Sequence, residues 1–189
     1  MATRPQVILS GFADEAALHK TAVEQFAAFA ALGLQYYSLR FVDLGGGVKN
    51  VMKLTKSEIT KLRHLEDEYG MNVASIGSPI RGFSFYHPRG EDPWDHLSQA
   101  VDQLGQIAEA CHRSDLTFGL EIEANLVGQT GQLMAELHRR VNHPALVTIF
   151  DGANIVCQGY NTSETYEQYA GMKASLGWMP IKDSRGPHP

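Results

Sequence analysis

Three short apolar runs in the last third of the chain constrain its fold more than any other feature, because each ends on an acid or an amine. They are Thr117-Phe-Gly-Leu-Glu-Ile-Glu123, Val147-Thr-Ile-Phe-Asp151 and Trp178-Met-Pro-Ile-Lys-Asp183. Strands that are apolar along their length belong in a parallel sheet buried on both faces, and charged groups at their C-terminal ends collect at one rim. Helical patterns separate them: Leu97, Val101, Leu104, Ile107 and Cys111 recur at helical spacing, as do Leu133, Met134 and Leu137, and a further helix is expected over 166–176.

The same rhythm opens the chain. Val7-Ile-Leu-Ser-Gly-Phe12 reads as a strand, followed by Asp14 and Glu15 at a loop. Thr21-Ala-Val-Glu24 matches a capping box, with Val23, Phe26, Ala27 and Ala30 on one expected face and Gly33 as the stop. Leu34 to Val42 is rich in strand formers and carries Arg40, with the flexible Gly45-Gly-Gly47 after it. A second helix opens at Ser57 with the stripe Ile59, Leu62, Leu65 and Tyr69, closes at Gly70, and leads to a strand over 71–77. Strand–helix repetition of this kind predicts an α/β fold of the (β/α)8 barrel type with right-handed crossovers, in one domain spanning 1–189.

The rhythm breaks once. Ser78-Pro-Ile-Arg-Gly82 runs directly into the strand-like Phe83-Ser-Phe-Tyr86, whereas adjacent parallel strands need a crossover of a dozen or more residues. An interruption near residues 80–81 is therefore expected. With 189 residues the chain is also shorter than the ~250 usual for a closed eight-fold barrel, so an incomplete barrel is expected, and open strand edges favour association into a homo-oligomer.

Composition removes several function classes. A net charge of −5 with scattered basic residues offers no footprint for a phosphate backbone, which argues against a nucleic-acid partner. No apolar run approaches the ~20 residues of a membrane span, and the N-terminal run is too short for a signal peptide. The two cysteines, Cys111 and Cys157, have neither CxxC spacing nor a disulfide pattern, so a cytoplasmic location is expected.

Five motifs in order carry a resemblance: Ser10-Gly-Phe-Ala-Asp-Glu15, Ser75-Ile-Gly-Ser-Pro79, Phe83-Ser-Phe-Tyr86, Phe150-Asp-Gly-Ala-Asn154 and Ile181-Lys-Asp183. Together they are similar to successive strand-end motifs of the xylose isomerase-like TIM barrels, the sugar phosphate isomerase/epimerase group. The resemblance implies one divalent cation (Mn, Mg, Co or Zn) held by Glu, Asp, His and Glu at four strand ends. Glu121 matches the first ligand and Asp151 the second, but Pro180 stands where the His is expected, and the fourth ligand would lie beyond Pro189. The cation therefore binds weakly or not at all by this reading, turnover is low, and a Pro180→His substitution strengthens metal binding.

The chemistry implied is proton abstraction beside a carbonyl, giving an enediolate that is reprotonated as an epimer or an isomer. Glu121 and Lys182 are the catalytic candidates; Glu15, Arg40, Tyr86, His87 and Asn154 are candidates for binding a sugar or sugar phosphate. The plainer alternatives are helix capping or pairing with a loop Lys or Arg for Glu121 and Asp151, a solvated loop for His87, core packing for Tyr86 and loop capping for Asn154. Two other functions compete with a metal-dependent isomerase or epimerase: a non-catalytic or truncated sugar-binding barrel, and a metal-dependent DNA-repair endonuclease. The endonuclease needs a His-rich cluster and a basic groove, and His19, His64, His96, His112 and His138 show no convergent spacing.

Overall fold

Short apolar runs and helical stripes become the expected elements in a computed structural model that describes residues 7–77, 87 and 90–182. The chain divides into two compact units, Met1–Ile80 and Arg81–Pro189, each with its own apolar core.

In the first unit, helix α1 (Ala22–Ala31) starts at Thr21, whose side chain accepts the Glu24 N–H. Its buried face is Ala22, Gln25, Phe26 and Phe29, not the expected stripe, and Val23 is exposed. The two Phe rings carry most of the apolar area and set the rotation of the helix; Phe26 meets the Tyr37 ring edge-on at 5.0 Å. That rotation buries Gln25, and its amide donates to the Lys20 and Phe41 carbonyls at 2.9 Å each.

The run from Leu34 to Val42 is two strands, not one: β1 (Tyr36–Leu39) and β2 (Phe41–Asp43), the latter folding back antiparallel on β3 (Val48–Asn50). The glycine loop between them is pinned, because Asp43 Oδ1 accepts the N–H groups of Gly45, Gly46 and Gly47. Helix α2 (Lys56–Tyr69) begins one residue earlier than expected, with a full capping box between Thr55 and Glu58, and ends at Gly70 with φ 64°. Strand β4 (Asn72–Ile76) lies parallel to β1. Val7 to Phe12 is not a full strand; it contributes one parallel bridge, Phe12 to Ser38.

The second unit runs α3 (Leu97–His112), β5 (Phe118–Glu121), α4 (Gly131–Val141), β6 (Leu146–Ile149), α5 (Gly152–Cys157), α6 (Thr162–Met172) and β7 (Leu176–Trp178). The three strands form a parallel sheet in the order β5-β6-β7. Leu104, Ile122, Met134, Leu137, Leu146 and Met172 are among the buried residues of its core. Helices α4 and α6 approach closely at Gly131, where a Cβ would fall 2.0 Å from the Gln168 carbonyl oxygen. The Gln168 side chain accepts the Gly131 N–H at 2.7 Å and locks that crossing.

Three details differ from expectation. The short helix α5 has no counterpart in the apolar pattern; it is initiated by the Asp151 side chain. Helix α6 starts at Thr162, well before Tyr166, because Asn161 and Glu164 form a capping box. Strand β7 ends at Trp178, so Pro180 lies beyond the sheet and interrupts no ladder. The expected discontinuity over Ser78–Gly82 lies outside the described residues, as does Tyr86. Among the described residues no helix is long and apolar enough to cross a membrane.

Candidate active site

Three neighbouring parallel strands bring Glu121, Asp151 and Lys182 together. Glu121 is the last residue of β5 and pairs in register with Ile149 of β6, so Asp151 follows two residues beyond that level on the next strand. Lys182 follows β7, which is hydrogen-bonded to the other edge of β6. Its Nζ contacts Asp151 Oδ2 and lies 3.6 Å from Glu121 Oε1.

Asp151 does two things at once. Its side chain is fully buried, and Oδ1 accepts the Ala153 and Asn154 N–H groups at 3.0 and 3.2 Å, capping α5. The capping alternative is thus real for this residue, but it uses only one oxygen. Oδ2 faces the Lys182 ammonium as an ion pair.

Asn154 ties the site together from α5. Its Nδ2 donates to Glu121 Oε1 at 3.3 Å, to the Ile122 carbonyl at 3.1 Å and to Glu123 Oε2 at 3.3 Å. Glu123, which alternation places on the face of Glu121, therefore shares a partner with it. Asn154 holds the acids in place instead of capping a loop.

Charge in this cluster is unbalanced, with three carboxylates around one ammonium. Burial pushes the Glu121 carboxyl up to about 7, helped by its hydrogen bond to Asp151, while Lys182 only partly offsets the rise. Burial also opposes ionisation of Asp151, but the bonds from Lys182 and Glu121 outweigh it and hold that carboxyl below the usual range. Burial disfavours the Lys182 ammonium as well; Asp151, Glu121 and Glu123 more than compensate and raise its pKa. One carboxyl that shares a proton near neutrality beside one that stays ionised is an acid/base arrangement.

The donor set also tests the cation that the resemblance implies. A hard divalent cation takes six or more oxygens at about 2.0–2.6 Å. Among the described residues, no group of three or more His, Cys, Asp or Glu side chains is placed to hold a metal ion. Lys182 already fills the approach to both Glu121 and Asp151. As placed, these residues do not fit a resident divalent cation.

Each of the other candidates among the described residues has its own partners within its unit. His87 belongs to the second unit, where its Nε2 bonds Gln129 Oε1 at 3.3 Å and its ring stacks on His96 at 6.5 Å; it is half-buried, not a solvated loop residue. Glu15 and Arg40 belong to the first unit, where Arg40 bonds Glu15 Oε1 at 2.7 Å and Asp14 Oδ2 at 3.0 Å and lies over the Phe12 ring at 4.5 Å. Asp14, the centre of that network, also takes Lys20 Nζ at 3.0 Å and was not a candidate. The only hint of it in the sequence is an acid just past an apolar run.

No family model and no curated protein matches the chain by sequence. Solved structures do match. A xylose isomerase-like TIM barrel protein from Mycobacterium smegmatis, in complex with magnesium, superposes with a TM-score of 0.67 at 14% identity over 93% of this chain and 74% of its own. D-psicose 3-epimerase from Clostridium cellulolyticum H10, with D-tagatose, gives 0.65 at 12% identity over 90% and 71%. D-allulose 3-epimerase from a Methylomonas species, in complex with D-allulose, gives 0.65 at 12% identity over 93% and 72%. The fold of this chain is therefore that of the xylose isomerase-like TIM barrels, of which the chain spans a large part.

Proposed function

We propose that the chain binds a ketose or ketose phosphate at the C-terminal ends of β5, β6 and β7 and moves a proton beside its carbonyl. The observation that carries this reading is the Glu121–Asp151–Lys182 cluster at neighbouring parallel strand ends, in a fold shared with proteins solved with D-tagatose and D-allulose. Glu121, with its carboxyl poised near neutrality, takes the C–H proton; the C–H bonding pair becomes a C=C bond, the carbonyl π pair moves onto its oxygen, and an enediolate results. Lys182 supplies positive charge where that oxygen becomes negative, and Asp151 and Asn154 hold Lys182 and Glu121 in register. Returning the proton to the former carbonyl carbon, while the proton of the adjacent hydroxyl passes to the former carbonyl oxygen, completes a ketose–aldose isomerisation with one carbon acid/base group. Epimerisation needs a second group on the opposite face.

The test is proton exchange in D2O. Incubation with D-fructose, D-tagatose, D-allulose and their phosphates should incorporate deuterium beside the carbonyl, read by NMR. Glu121→Gln should slow this by about 10²–10⁴-fold. A second reading, sugar binding without turnover, is favoured by the engagement of Lys182 with Asp151. Saturable sugar binding with no exchange for any of these sugars would establish it and exclude the first.

A further inference from the structure

We propose that Lys182 is the internal cation of this site: its ammonium takes the place between Glu121 and Asp151 that a divalent metal would need, so the carboxylates are held together without a resident metal. The inference goes beyond the sugar reading, because it concerns what keeps the acids in place whether or not they turn over a substrate.

Asp151 sets the requirement. Its side chain is 0% exposed, and a carboxylate so buried must be paired. Oδ1 is spent on the backbone of α5, so compensation must reach Oδ2, where Lys182 Nζ lies. The same Nζ stands 3.6 Å from Glu121 Oε1, so one ammonium spans the gap between the two acids. The Asn154 amide donates to that same oxygen, Glu121 Oε1, at 3.3 Å and helps to hold it beside Lys182. A metal brought to this gap would meet a like charge at bonding distance from its ligands, and binding would require Lys182 to leave. The lysine side chain is 45% exposed and can do so, which makes metal binding weak instead of forbidden.

Lys182→Met removes the ammonium while keeping the apolar stem. Titration of Mn²⁺ alone, followed by calorimetry and by electron paramagnetic resonance of the free ion, should show the variant binding about tenfold or more tightly than the unmodified chain. Thermal unfolding, followed by fluorescence of Trp94 and Trp178, should show a lower Tm for Lys182→Met that Mn²⁺ restores. Mn²⁺ should leave the Tm of the unmodified chain unchanged. Adding Asp151→Asn to the variant should restore Tm without metal and abolish the response to Mn²⁺. If Lys182→Met does not fold, recovery of folding by Asp151→Asn supports the inference, and failure of the double variant to fold overturns it. Tight Mn²⁺ binding by the unmodified chain, or equal affinities in the two proteins including none in either, also overturns it. None of these readouts involves a sugar, so a failure here is distinct from a failure of the proton-exchange experiment.

Discussion

Each unit of the chain buries an aspartate past an apolar run, and the two solve the resulting problem differently. Asp14 has a side chain 1% exposed and is met by two cations, Lys20 and Arg40, both at 3.0 Å, with Glu15 closing the network on Arg40. Asp151 is as deeply buried but is met by one ammonium, which Glu121 and Glu123 also draw upon. Two acids with two cations make a charge-neutral cluster, with both cations on Asp14 Oδ2. Burial raises the Glu121 carboxyl toward neutrality, and because three acids share one cation the neighbouring carboxylates add to that rise. Asp14 thus has two cationic partners and Asp151 one, and it is at the second cluster that we propose proton transfer.

The sharpest test of this contrast is to remove one lysine from each cluster. Lys182→Met leaves a buried carboxylate without its ion-pair partner and should cost about 2–4 kcal/mol at pH 7. Lys20→Met leaves Asp14 still paired with Arg40, and the lysine is partly solvated, so the loss should be about 0–1 kcal/mol. Urea unfolding read by backbone circular dichroism checks both; comparable losses would show that the two clusters are equivalent.

Dependence on pH gives the next largest effect. Glu121 is raised in the folded chain from 4.5 to about 7, so the stability its protonated form contributes is complete below 4.5 and is lost as pH rises through about 7. Asp151 has the opposite sign: its stabilisation is present above the unfolded value of 3.8 and is lost as pH falls through its lower folded value. Glu121→Gln, permanently neutral, should therefore remove the decline in Tm between pH 4.5 and 7 and keep the acid-side loss. In a carbon-13 NMR titration one Glu carboxyl should titrate near 7, and its signal should be missing from the variant. A midpoint in the ordinary glutamate range for every resonance would sink the assignment.

The smallest effect serves as a control. Thr55 and Asn161 each complete a capping box, one in each unit. Thr55→Ala and Asn161→Ala should each cost about 1 kcal/mol in urea unfolding. Similar losses would show that the units differ in their charge clusters and not in the strength of their helices.

Much of the local structure was legible beforehand because its causes are local. Gly70 ends α2 where a left-handed residue was expected, and Leu104, Leu133, Met134 and Leu137 are buried as their spacing predicts. The rotation of α1 was not legible, since Val23 and Phe29 compete for the core and only packing against Tyr37 decides between them. Nor was the turn after Leu39, where strand propensity runs on unbroken but the chain folds back to pair β2 with β3. Helix α5 is too short for periodicity to register and exists because Asp151 caps it.

The same division runs through the candidate site. That acids and an amine stand at the ends of apolar strands is written in residue order alone, because a parallel sheet puts every strand's C-terminal end on one rim. So Glu121 and Asp151 could be paired from the sequence. What Lys182 does there could not, since its reach to Asp151 depends on β7 lying beside β6 and ending at Trp178, two facts of tertiary structure. Likewise Asn154 becomes the tie between Glu121 and Glu123 only once α5 turns it back over β5. Composition and spacing determined which charges sit at strand ends; only the packed sheet decided which of them face one another, because electrostatic partnership is set by distances of a few ångströms that residue order does not encode.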